Sequence, residues 1–194
     1  MTSLDAKNAH YWITVIFAGL VFLLVLNYIP AQDTVQEQIF AERGYKIVSQ
    51  SESIATEFIF DPTWVPQAGE SKTIDFIFYD ANNTQIYVSE VKNNGQMTYV
   101  NLKFSSNYNK EGGNFVTSTV IHKDNGQLNY SGVLIKPRFY DVQNNEELAM
   151  EYSTGIGPDD LITLGFGKNE MEQFSGKKIA VKLSNLNLVQ YRKI

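Results

Sequence analysis

Between Tyr11 and Ile29 the chain carries no Asp, Glu, Lys or Arg. An α-helix needs about 20 largely apolar residues to cross a hydrocarbon core of about 30 Å, and this run of 19 meets that requirement. Thr14 and Asn27 are its only clearly polar members, and Tyr11, Trp12 and Tyr28 stand at its ends, where amphipathic rings favour the headgroup layer. The stretch is therefore read as a membrane helix over residues 11–29, and every later part of the chain has to hang from it. Thr14 and Ala18 are four residues apart, the spacing of a small-residue helix contact, and Gly19 and Asn27 add a close-approach point and a hydrogen-bonding group. These four are the candidate contacts to another membrane helix.

Residues 1–10 hold Lys7 and the amino terminus, whereas the first basic residue after the span is Arg43. Positive charge near a helix end favours the cytoplasmic side, so the short N-terminus is expected inside and the rest of the chain outside. A cleaved signal peptide is the rival reading, with Ile29-Pro30-Ala31 ahead of the cut. Signal peptides have apolar regions of about 7–15 residues, a basic leader and a small residue near the cut. The longer run here, with a single lysine before it and Ile29 at the wrong place, favours a retained signal-anchor.

Residues 30–44 form a linker. Pro30 ends or bends the first helix, and Thr34-Val-Gln-Glu37 has the form of a capping box, so a short helix is expected over 35–43, with Gly44 as its left-handed cap. From Tyr45 the hydrophobic period changes to two. Ile74, Phe76 and Phe78 are expected on one face of a strand, and Thr98, Val100, Leu102 and Phe104 on one face of another. Phe115 to His122 and Leu128 to Ile135 read as further strands, and Lys168 to Phe174 as a helical turn. Toward the end Ile179, Val181 and Leu183 alternate in one phase and Leu186 and Leu188 in the other. The slip at Ser184-Asn185 predicts a β-bulge or a change of sheet. Asx- and Gly-rich turns, among them Asp80 to Asn83, Asn93 to Gly95 and Glu111 to Asn114, separate the runs. Residues 45–194 are thus expected to form one antiparallel β-sandwich.

The succession Phe58-Ile-Phe-Asp-Pro62, Pro66-Gln-Ala-Gly-Glu70 and Thr73 to Asp80 is similar to the opening of immunoglobulin-like modules of microbial surface proteins. The resemblance covers about 25 residues and implies an immunoglobulin-like fold, with a jelly roll as the alternative; it implies no activity. In size and order of parts alone, the layout also resembles the lipopolysaccharide-transport jelly-roll family.

Composition narrows the chemistry. A formal net charge of −5 is the wrong sign for a phosphate-binding surface, so no nucleic-acid partner is expected. With no cysteine and only His10 and His122, zinc and copper sites of the usual imidazole and thiolate kind cannot be assembled within one chain. The Asx-rich segments Asp80 to Asn83 and Asp141 to Glu147 lack the order of a calcium loop and read as turns. Ser175-Gly-Lys-Lys178 has the S-x-x-K spacing without the expected helix, and Gly165-Phe-Gly-Lys168 is only a fragment of a phosphate loop. Neither a catalytic residue nor a cofactor, nor a small-molecule substrate, is expected.

Trp64 lies between Pro62 and Pro66, a rigid setting that either presents the indole to a sugar or protein or folds it back to close one end of the sandwich. Asn82-Asn83-Thr84 and Asn129-Tyr130-Ser131 match the N-glycosylation pattern. Taken together, the sequence predicts a membrane-anchored, non-catalytic subunit or assembly factor that binds another integral membrane protein. The alternative is a membrane-tethered module for glycan or a surface layer.

Overall fold

The computed structural model describes residues 35–124, 127–132, 135–157, 161–174 and 176–194. Val35–Ile194 is one compact unit. Among the described residues no helix is long and apolar enough to cross a membrane, and the span at 11–29 lies outside them.

The unit is a two-sheet antiparallel sandwich. One sheet has the order β1 (Tyr45–Phe60), β12 (Ile179–Lys193), β8 (Arg138–Asp141), β9 (Glu147–Leu148), with β5 (Gly112–Thr117) on the far half of β12. The second runs β10 (Ser153–Gly157), β11 (Leu161–Gly167), β4 (Met97–Ser106), β3 (Thr84–Asn93), β2 (Glu70–Ala81). A separate hairpin pairs β6 (Thr119–Asp124) with β7 (Gln127–Gly132). Two short helices complete the fold, α1 (Val35–Phe40) and α2 (Lys168–Gln173).

Alternation with period two puts every second side chain of a strand on the same side. Thr98, Val100 and Leu102 are accordingly buried, with Phe104 packed beside them. They meet Phe58, Phe60, Val181, Leu183 and Leu186 from the opposite sheet in one core. The bulge expected at Ser184-Asn185 is present: Leu183 pairs with Thr56 but Leu186 with Ile54, and Asn185 takes φ 65°. The extra residue restores the phase, so Leu186 and Leu188 face the same core as Ile179, Val181 and Leu183. Beyond the bulge the other phase of β12, Val189 and Tyr191, is buried too, under Ile39 of α1, Tyr45 and Phe115. Tyr191 donates its hydroxyl to Asn109 O and Tyr45 to Lys110 O, which satisfies two phenols inside this second cluster.

Three expectations change in detail. The helix after the linker stops at Phe40, because Glu42 (φ 50°) takes the left-handed position: Arg43 N–H bonds to Gln38 O and Glu42 N–H to Ile39 O, a Schellman ending. Gly112 and Gly113 open β5 by pairing with Arg192 and Tyr191 and do not form a turn; the approach is so close that a Cβ at Gly112 would lie 2.9 Å from Tyr191 O. The run from Phe115 to His122 is divided at Ser118, where the chain leaves β12 and starts the hairpin.

One turn contributes to acid stability. Asp141 is nearly buried; its carboxylate accepts from Gln143 N–H at 2.8 Å and pairs with Lys177 Nζ at 3.2 Å. The Gln143 amide first, and then Lys177, hold its pKa below the ordinary carboxylate value. A depressed pKa means stability present above the unfolded-state value and lost as pH falls through the folded one, so the loss falls below about pH 4. Thermal midpoints from pH 6 to 2 should fall less steeply for Asp141→Asn than for wild type; parallel curves would refute the assignment.

Candidate functional site

β1 ends at Phe60, and from Asp61 the chain turns through a 3₁₀ segment, Pro62–Trp64, before β2. Pro62 suits the first position of such a turn, and Asp61 caps it: Oδ1 accepts from Thr63 N–H (2.9 Å) and Thr63 Oγ1 (2.7 Å). Two lysines secure the loop from outside. Lys72 Nζ donates to Thr63 O at 2.9 Å, and Lys178 Nζ lies 3.3 Å from Asp61 Oδ2. The Thr63 hydrogen bonds first, and then Lys178, lower the Asp61 pKa.

This anchoring fixes the direction of Trp64. Its indole meets the buried ring of Phe60 edge-on at 5.6 Å and the ring of Phe76 at 5.4 Å, and it packs on the main core while remaining half-buried. The arrangement is that of an aromatic lid on the corner of the sandwich. A mostly apolar hollow of about 440 Å³, lined by Pro62, Thr63, Val65, Met171, Phe174 and Gly176, adjoins it.

The residues that stay exposed at this corner were not singled out by the sequence. Phe76 is 42% and Ile77 49% accessible on β2, the outermost strand of its sheet; they pair in unbroken register with Val88 and Tyr87, so Phe76 takes the Trp64 side and Ile77 the opposite one. The reason is a pair of bulges. Thr73 pairs with Glu90 but Phe76 with Val88, leaving Ile74 and Asp75 opposite Ser89, and a second shift follows between Ile77 and Tyr79. Ile74 and Phe78 still reach the core, Phe78 stacking on Phe58 at 4.8 Å, but Phe76 finishes at the rim against Trp64. The three therefore do not share a face as equals. No sequence signal marks the change, since Asp75 adopts φ 51° where Gly or Asn is usual.

The other sequence candidates are dispersed. Thr14, Ala18, Gly19 and Asn27 lie outside the described residues. Asn82 and Asn83, at φ 54° and 55°, form the two-residue tip of the β2–β3 hairpin. Asn82 Nδ2 donates to Tyr79 Oη at 2.6 Å and its Oδ1 accepts from Asn114 Nδ2 at 3.3 Å. Thr84 is buried and its Oγ1 accepts from Val116 N–H. The sequon is thus part of a tether between the hairpin and β5, and a glycan on Nδ2 would displace it. Asn129 falls on β7, paired with His122 of β6. Among the described residues no three His, Cys, Asp or Glu side chains gather closely enough to hold a metal ion.

Comparison with known proteins adds nothing to this geometry: no family model, no curated protein and no solved structure matches the chain.

Proposed function

We propose that the chain is a non-catalytic subunit or assembly factor of a membrane protein complex, held by the helix at 11–29 and binding its partner through the outer β-domain. Within this reading the sandwich is taken as immunoglobulin-like, on the turn chemistry of residues 58–80, and the N-terminus as cytoplasmic. The observation that carries the proposal is the exposed ring of Phe76 against the half-buried Trp64, on the outermost strand of the sheet. Apolar and aromatic groups gathered at one corner are the usual anchors of a protein interface. The two bulges interrupt the free edge of β2, which disfavours addition of a long partner strand, so side-chain burial is the expected mode of contact.

The test is migration of the detergent-solubilised protein from native membranes. Wild type is expected in an assembly well above 22.0 kDa, with another integral membrane protein at fixed stoichiometry. Phe76→Glu should weaken that association at least tenfold, about 1.4 kcal/mol, without a comparable loss of thermal stability. Migration of wild type alone, with retention of cell-wall or surface-layer material, would replace this reading by that of a tethered surface module.

A further inference from the structure

The outward side of the second sheet carries a polar groove of about 410 Å³, within the range of small-molecule sites. Its lining includes Asp75, Tyr87, Glu90, Lys92, Asn101 and Lys103. Two adjacent bulges shape it. Ile74 and Asp75 of β2 oppose the single Ser89, and Ser89 is itself the extra residue of β3 against β4. Asp75 is held at φ 51°, an uncommon conformation for a residue other than Gly or Asn and one that recurs at binding sites.

The floor is ordered by a row of hydrogen bonds that crosses three strands. Thr163 Oγ1 donates to Asn101 Oδ1 at 2.9 Å, and Asn101 Nδ2 to Glu90 Oε2 at 3.3 Å. Lys92 Nζ reaches the same Glu90 oxygen at 3.1 Å, and Ser89 Oγ donates to Asn101 O. Burial pushes the Glu90 carboxyl up, but the bonds from Lys92, Ser71 and Asn101 outweigh it and keep it below the ordinary value, hence ionised at neutral pH. One half-buried tyrosine, Tyr87, lines the groove and pairs with Lys103.

We propose that this groove binds a neutral saccharide chain. Two carboxylates, Asp75 and Glu90, balance two ammonium groups, Lys92 and Lys103, so neither an anion nor a cation is favoured by net charge. A polyol instead matches what is presented: fixed donors and acceptors on Glu90, Lys92 and Asn101, with the phenol ring of Tyr87 on which the C–H face of a sugar can rest. The row is preorganised by its own hydrogen bonds, so little ordering is required on binding. The site is separate from the Phe76–Trp64 corner, since Phe76 lies on the side of its buried partner Val88, and either can fail without the other.

The test uses the full chain in a detergent without a sugar headgroup, titrated calorimetrically with β-1,4-linked tetrasaccharides of glucose, mannose and N-acetylglucosamine, and with an acidic tetragalacturonate. At least one neutral probe is expected to bind with a Kd of about 1 mM or tighter, and Tyr87→Ala and Asn101→Ala to weaken it about tenfold or more. Lys103→Ala, at an exposed position, should weaken it with an unchanged thermal midpoint, which separates loss of binding from loss of fold. Phe76→Glu should leave it unchanged. Failure of all neutral probes, preference for the acidic one, or affinity sensitive to Phe76 but not to Tyr87 and Asn101 would overturn the proposal.

Discussion

Replacing Phe166 by alanine is expected to destabilise the domain by about 3–5 kcal/mol, the range for large aromatic truncations in packed cores. Phe166 lies on β11 with 2% of its surface accessible. Its ring meets Phe139 of the opposite sheet at 5.5 Å and Phe174, just beyond α2, at 5.3 Å, both edge-on. Phe174 in turn meets Phe60 at 5.5 Å, so four rings run from one sheet to the other and on to the Trp64 corner. The separation of the sheets is held by the rest of the core, so the gap left by the ring cannot close by collapse. For a domain of this size the loss corresponds to a fall in thermal midpoint of roughly 6–20 °C. Thermal unfolding followed by circular dichroism is the check, and a loss below about 1 kcal/mol would mean that the sheets repack around the site.

A second large effect, of opposite pH dependence to that of Asp141, is expected from Asn187→Asp. Asn187 is fully buried in β12; its Nδ2 donates to Thr119 O at 3.1 Å, and its Oδ1 has no hydrogen-bond partner among the described residues. The substitution turns a donor toward Thr119 O into a second oxygen and places an ionisable group where solvent does not reach. An unpaired buried charge costs about 3–5 kcal/mol, so the folded-state pKa of the new carboxyl is raised. Below the unfolded-state value, about 3.9, both states are protonated and the charge penalty vanishes. It grows as pH rises and levels off above the raised folded-state value. Urea midpoints of the variant should therefore approach wild type near pH 4 and fall well below it at pH 7. Equal losses at both pH values would point to shape in place of charge.

Both predictions concern positions whose burial was only partly legible beforehand. Phe166 stands in Gly165-Phe-Gly-Lys168, which reads as readily as a loop fragment as it does as a strand. Its burial follows from β11 inserting between β10 and β4, a pairing between segments about sixty residues apart. Asn187 looks like a turn residue in Ser184-Asn-Leu-Asn187, and only the bulge at Asn185, followed by the cover of the second cluster, places it inside.

The sandwich class was within reach of the sequence because side-chain alternation is a local property: Val100 and Leu102, or Ile179, Val181 and Leu183, share a side whatever strand they pair with. The same holds for the punctuation, since Pro62, Gly69 and Asn82-Asn83 restrict their own backbone angles. Trp64 was recognisable as a residue in a rigid loop for that reason. Which of its two directions it takes was decided by Phe60 of β1, Lys72 and Phe76 of β2, and Lys178 just before β12. The bulges at Asp75 and Ser89 lie further from view, because a two-against-one pairing belongs to two strands at once and neither sequence marks it alone. The exposed Phe76 beside Trp64 and the row Thr163–Asn101–Glu90 both follow from those bulges and pairings. Residue order determined the strands and turns; strand pairing, which is non-local, decided which side chains remained available to bind.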